Sequence, residues 1–124
     1  MAKRKRLSYE KRMIKALKMI PCPLEDKKHR ILLFFEDNRA RSNESRFEHI
    51  SLSRHDLCVG DVKRIISCIN KSVLRKDTER KDTYNLYIKR NNYGNEYIKI
   101  SLELNFHKSN KATVKTLFIT TIVK

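Results

Sequence analysis

The sequence predicts an α+β domain in which a basic N-terminal helix precedes a helix packed on an antiparallel β-sheet meander. Three observations predict it. Apolar residues recur at helical spacing early in the chain, apolar and polar residues alternate through most of the last third, and the links between the alternating stretches are short.

Each element can be argued in chain order. Ser8 is a candidate cap for a helix through Tyr9, Met13, Ile14, Leu17 and Ile20, with Lys11, Arg12, Lys15 and Lys18 on the opposite side. Pro21 and Pro23 end that helix, so residues 1–23 form a basic helix or arm and residues 24–124 a single domain. Arg30 to Glu36 is an apolar run of strand length, and the polar stretch Asp37 to Ser45 reads as an exposed loop. Ile50 and Leu52 alternate with Ser51 and Ser53, which suggests a brief strand; a helix over 44–55 is the alternative. Asp61 is the expected N-cap of a helix carrying Val62, Ile65, Ile66 and Ile69 on one face. Leu74 to Asp82 is highly charged and aperiodic, and reads as a mobile connection. Strands follow at Tyr84 to Ile88, from about Tyr97 to Phe106, and at Thr113 to Val123, joined by turn-rich links.

Composition narrows the function classes. The chain has 124 residues, the size of one domain, and 40% of them are hydrophobic. Lys and Arg number 29 against 14 Asp and Glu, a formal charge of +15. That excess repels itself in the compact state unless an anionic partner offsets it, and nucleic acid is the commonest such partner. No apolar run approaches the roughly 20 residues that span a bilayer, and the basic start lacks the apolar stretch of a secretion signal. No membrane association is expected. Cys22, Cys58 and Cys68 form neither a paired framework nor a ligand spacing. They read as free thiols of a reducing, cytoplasmic compartment, and no metal or other cofactor is expected. Two glycines are too few for a phosphate-cradling loop.

The candidate chemistry is histidine chemistry. His29 and His107 sit in a basic stretch and a predicted turn and read as bland, whereas His49 and His55 flank Ser51, Ser53 and Arg54. Lys63, Arg64 and Lys71 should point outward from the second helix and, with Lys89 and Arg90, supply phosphate contacts. Tyr87 alternates out of the apolar register and is the tyrosine expected to be exposed for base stacking, while Tyr84 and Tyr97 should pack in or beside the core.

Ser53-Arg54-His55, the amphipathic helix after Asp61 and the three closing strands together resemble the nuclease superfamily of barnase, EndoU, the tRNA-cutting colicins and RelE. The phage- and plasmid-encoded branches are most similar. The resemblance covers residues from about 49 to 124; Leu57-Cys58-Val59 stand where the pattern has a further arginine. It implies a metal-independent ribonuclease, a toxin or mobile-element effector, with RNA as substrate and an acidic inhibitor protein as a partner. The ribose 2′-hydroxyl would attack the adjacent phosphorus and leave a 2′,3′-cyclic phosphate. On that reading His55 is the general acid or base and His49 its partner, because histidine exchanges protons near neutral pH. Arg54 would stabilise the phosphorane through its fixed fork of donors. Thr120 would hydrogen-bond the phosphate, with Thr121 as its rival on the other strand face. The alternative function is a nucleic-acid-binding protein without catalysis.

Overall fold

The computed structural model describes the backbone of residues 2–41, 43–53, 56–91, 94–104 and 108–123, and their side chains except at 2–8, 40, 41 and 53. The elements run α1 (Ala2–Lys18), β1 (Leu24–Asp26), β2 (Ile31–Phe34), β3 (Arg39–Arg41), β4 (Glu44–Ser45), α2 (Arg46–Ser53) and α3 (Val59–Cys68). A 3-10 turn (Ile69–Lys71) then leads to β5 (Val73–Lys76), β6 (Thr83–Lys89), β7 (Tyr97–Glu103) and β8 (Lys111–Thr120). The main sheet has six strands in the order β1-β2-β8-β7-β6-β5, and β3 and β4 form a separate ribbon. The fold is α+β, with helices packed on a sheet, as the sequence predicts.

The meander β6-β7-β8 is antiparallel throughout, and alternation decides which face each side chain takes, except where a bulge opposite Ser101 and Leu102 shifts the phase of β8. Leu86, Ile88, Ile98, Ile100, Leu102 and Leu117 are buried on one face. They form one core cluster with Met13 and Leu17 of α1, Phe47 and Ile50 of α2, and Val62 and Ile65 of α3. The N-terminal helix therefore does not stand off as an arm: its C-terminal half is part of the core. The Tyr9 hydroxyl adds a polar tie, donating to the Leu57 carbonyl at 2.6 Å. Burial raises the pKa of that phenol, and Cys58, Asp56 and Asp61 push in the same direction.

Four local expectations are corrected. The segment around Ile50 is helix α2, not a strand. A strand would place Ile50 and Leu52 on one face, yet Ile50 is 1% exposed and Leu52 42%, whereas Phe47, Ile50 and Ser51 share a buried helical face. Ser45 starts α2 by accepting a hydrogen bond from the Glu48 amide at 3.3 Å. Asp37 to Ser45 is not all loop, because β3 and β4 pair within it. Leu74 to Asp82 is not a free connection either: Val73 to Lys76 forms edge strand β5 against Tyr84 to Tyr87. Finally, Asp61 lies inside α3 instead of capping it. Cys58 is the N-cap, and Asp61 Oδ2 accepts from the Cys58 amide at 2.8 Å.

Two features lay beyond the sequence pattern. Strand β2 enters the sheet parallel to β8, pairing Leu32, Leu33 and Phe34 with Lys111, Ala112 and Thr113. The sheet also curls until its two edges communicate. From the turn after β1, the Lys27 amide donates to Asn70 Oδ1 and Lys28 Nζ to the Ser72 carbonyl, each at 2.9 Å, just before β5. Asp26, fully buried, fixes that turn by accepting from the His29 amide at 3.2 Å and pairing with His29 Nδ1 at 2.7 Å. His29 is thus structural, in agreement with its bland reading.

Candidate nucleic-acid interface

The same alternation that sends leucines and isoleucines into the core sends a different set to the second face of the sheet. Strand register arranges them in cross-strand rows. One row is Lys89, Tyr97 and Thr120; the next is Val73, Tyr87, Lys99 and Phe118; a third is Arg75, Asn85, Ser101 and Thr116. Side chains directly opposite one another on adjacent strands are within contact reach. At the centre, Lys99 Nζ lies 5.8 Å from the centre of the Tyr87 ring and 5.4 Å from that of Phe118. A cation held between two aromatic rings is stabilised by their quadrupoles and stays within reach of a phosphate.

Beside these rows, a cleft of about 280 Å³ opens where β6 runs past the start of β5. Val73 is the first β5 residue paired, so Ile88 and Lys89 extend beyond that edge strand. Arg64 spans the gap, its Nε donating to the Lys89 carbonyl. Arg64, Lys71, Tyr87, Lys89 and Tyr97 line this cleft together. Four residues expected to contact nucleic acid are therefore gathered in one place from α3, the 3-10 turn and β6. Lys63 is not among them; it faces a groove on the other side of α3.

Tyr87 corrects its expected exposure. It is 1% exposed, because register sets it between Val73 and Lys99, whose side chains cover it. Its hydroxyl, Asn85 Oδ1 and Thr116 Oγ1 are buried without a hydrogen-bond partner among the described residues. Such atoms are uncommon in folded proteins, and three of them gather here in two neighbouring rows. Tyr84 packs against the core as expected, but Tyr97 lies half-buried on the second face.

Arg90 serves the fold. Its Nε donates to Asp61 Oδ1 at 3.0 Å, its Nη2 to the Asp56 carbonyl at 2.9 Å, and Glu96 lies 3.5 Å from Nη1. The Asp61 hydrogen bond raises its pKa further. The guanidinium thereby ties the end of β6 to the start of α3.

Arg54 and His55 lie outside the described residues, as does the Ser53 side chain. His49 is on α2, half-buried, with Nδ1 at 2.8 Å from Glu44 Oε1 of β4. The adjacent Arg46 is anchored, Nη1 donating to the Lys115 carbonyl at 2.8 Å and Nε to Asn38 Oδ1 at 2.9 Å. Thr120 closes β8, its Oγ1 accepting from the Ile122 amide at 3.1 Å. Thr121 is exposed just beyond the strand. Lys99 and Phe118 were missed as site residues, although alternation alone places Lys99 opposite Ile98 and Ile100. What alternation does not supply is the register that puts it between two rings.

Compared with protein-family models, curated proteins and solved structures, the chain matches none.

Proposed function

We propose that the protein binds single-stranded RNA across the second face of its sheet and the adjoining cleft. The observation that carries this reading is Lys99 between the Tyr87 and Phe118 rings, with Lys89, Tyr97 and Arg75 in the flanking rows. Single strands are bound by a basic groove that follows the backbone and by aromatic rings on which bases stack. The half-buried Tyr97 and Phe118 supply rings, and Arg64, Lys71 and Lys89 supply cations around the cleft. The charge of +15 supports an anionic ligand in general; the arrangement of rings among cations supports an unpaired strand over a duplex.

The test is fluorescence anisotropy with a labelled oligouridine strand and its duplexed counterpart across a salt series. Single-strand preference is expected, and Lys99→Ala should reduce the slope of log affinity against log salt by about 0.7. Phe118→Ala should weaken binding by about 1–3 kcal/mol while circular dichroism reports a retained fold. Equal binding to duplex, or no effect of either substitution, would sink the reading.

The Glu44–His49 pair favours a second reading, ribonuclease action on that RNA. A carboxylate 2.8 Å from Nδ1 orients the imidazole, the side chain that most often serves as general acid or base. Incubation with total RNA and EDTA should then yield 2′,3′-cyclic phosphate ends, lost in His49→Ala and in His55→Ala. Absence of cleavage by the unsubstituted protein would leave RNA binding alone.

A further inference from the structure

We propose that the groove between α1 and α3 is a docking site for an acidic amphipathic helix of a partner protein. Both walls have the spacing of a helix face that meets another element. Arg12, Lys15, Ala16 and Met19 follow one another at i, i+3, i+4 and i+7 along α1 and its end, and Val59, Val62, Lys63 and Ile66 do so on α3. The space between them is about 270 Å³.

The floor is apolar, and its upper edges are exposed. Val62 is buried at the bottom, while Met19 is 71% and Ile66 36% exposed on opposite walls. Scattered apolar side chains on a surface are ordinary, but two that face each other across an apolar cleft mark an interaction site. The methionine contributes an adaptable surface that suits a side-chain ridge. The rim carries one sign of charge: Arg12, Lys15 and Lys63 line the groove, and no carboxylate does so among the described residues. All three are exposed, and long basic side chains of this kind extend an apolar wall with their aliphatic stems.

These features define the occupant by complementarity. A ridge of apolar side chains at helical spacing fits between the walls, and Asp or Glu on its flanks meets the three cations. A nucleic acid offers the negative charge without the apolar ridge, and a bilayer surface offers no ridge to enter a cleft between two helices. The site is independent of RNA binding. Helix α3 divides the two, turning Arg64 and Cys68 toward the cleft at β6 and Val62, Lys63 and Ile66 toward this groove.

The experiment titrates the 15N-labelled full chain with a panel of synthetic helical peptides. Each carries leucines at i, i+3 or i+4, and i+7 with flanking glutamates, in several registers. A matched panel has lysines in place of the glutamates. Amide shifts confined to residues 12–19 and 59–66 are expected with the glutamate peptides, at roughly micromolar affinity for the best of them. The lysine panel should bind at least about tenfold more weakly, as should the glutamate peptides to Met19→Asp and Ile66→Asp, both surface substitutions whose fold is checked by circular dichroism. Equal binding of the lysine panel, shifts centred elsewhere, unchanged affinity in the two variants, or no binding by any register would overturn the proposal. So would Met19-dependent binding to phosphatidylglycerol vesicles that exceeds binding to every peptide, because the groove would then be a lipid contact. The Lys99→Ala variant, weakened in RNA binding, should keep peptide binding unchanged, which separates this proposal from the RNA reading.

Discussion

Asp61 divides its two carboxylate oxygens between a helix and a strand. Oδ2 accepts from the Cys58 amide that opens α3, and Oδ1 accepts from Arg90 Nε on the chain leaving β6. The carboxylate itself is nearly buried, which makes the loss of the acceptor costly. Asp61→Ala should therefore destabilise the protein by about 2–3 kcal/mol, read as a lower urea midpoint. An unchanged midpoint would show that Glu96 and the Asp56 carbonyl hold Arg90 alone. Asp77 organises the turn between β5 and β6 in a similar way. Its carboxylate accepts from the Glu79 and Arg80 amides at 2.9 and 3.0 Å and from Asn85 Nδ2 at 3.3 Å. Those backbone hydrogen bonds, that from Glu79 foremost, hold its pKa below the usual carboxylate value. The folded state keeps Asp77 charged to lower pH than the unfolded state does. Its contribution is thus present above the unfolded pKa of about 3.9 and is lost as pH falls through the lower folded value. The Glu79 and Arg80 amide resonances should accordingly titrate with a midpoint below that of an ordinary aspartate. A midpoint at or above it would contradict the hydrogen-bonded geometry.

At the scale of elements, α1 is one whose role the sequence left between two readings. A basic amphipathic helix can lie along an anionic partner or pack on its own domain, and the same spacing of Met13, Leu17 and Ile20 serves both. Here Met13 and Leu17 are fully buried in the common core. Leu17→Ala should then cost about 2–5 kcal/mol, the range for a leucine deleted from a closed core. A cost near zero in thermal or urea unfolding would mean that the helix contributes nothing to the cooperative unit. Strands β6 and β7 behave differently, because alternation committed their residues to a face before any packing was known, whereas in β8 a bulge opposite Ser101 and Leu102 shifts the phase. Register then decided which neighbours share a row. That is why Tyr87, taken as exposed, is covered: nothing in β6 alone says that Val73 and Lys99 stand beside it.

For the whole molecule, the charge of +15 acts on folding and on binding with opposite signs. Salt screens the self-repulsion of the compact state and should raise the melting temperature as NaCl goes from about 50 to 300 mM. The same change should weaken RNA binding, because phosphate contacts release counterions. Differential scanning fluorimetry and anisotropy on one salt series check both. A melting temperature that falls with salt would mean that ion pairs such as those of Arg90 and Lys115 outweigh the net repulsion. The curl of the sheet distributes this charge over distinct surfaces. The second face and its cleft gather cations among aromatic rings, and the helical side gathers them around an apolar groove.

The sequence by itself determined the α+β class, the existence of a helix carrying Val62, Ile65 and Ile69, the three-strand meander and the basic character of the chain. These depend on local periodicity and composition, which a linear chain displays directly. It also grouped Lys63, Arg64, Lys71, Tyr87, Lys89 and Arg90 as expected contacts, of which Arg64, Lys71, Tyr87 and Lys89 line one cleft. Tertiary structure alone decided the rest. Pairing of β2 with β8 and closure of the sheet edges by Lys27 and Lys28 join residues whose relation is invisible to any local pattern. Arg90 could not be told apart from its neighbours in sequence, because its partner Asp61 is 29 residues away. Lys99 was legible as a polar-face residue and no more; its place between Tyr87 and Phe118 exists only once three strands are in register, because cross-strand neighbours are set by hydrogen-bond pairing and not by order along the chain.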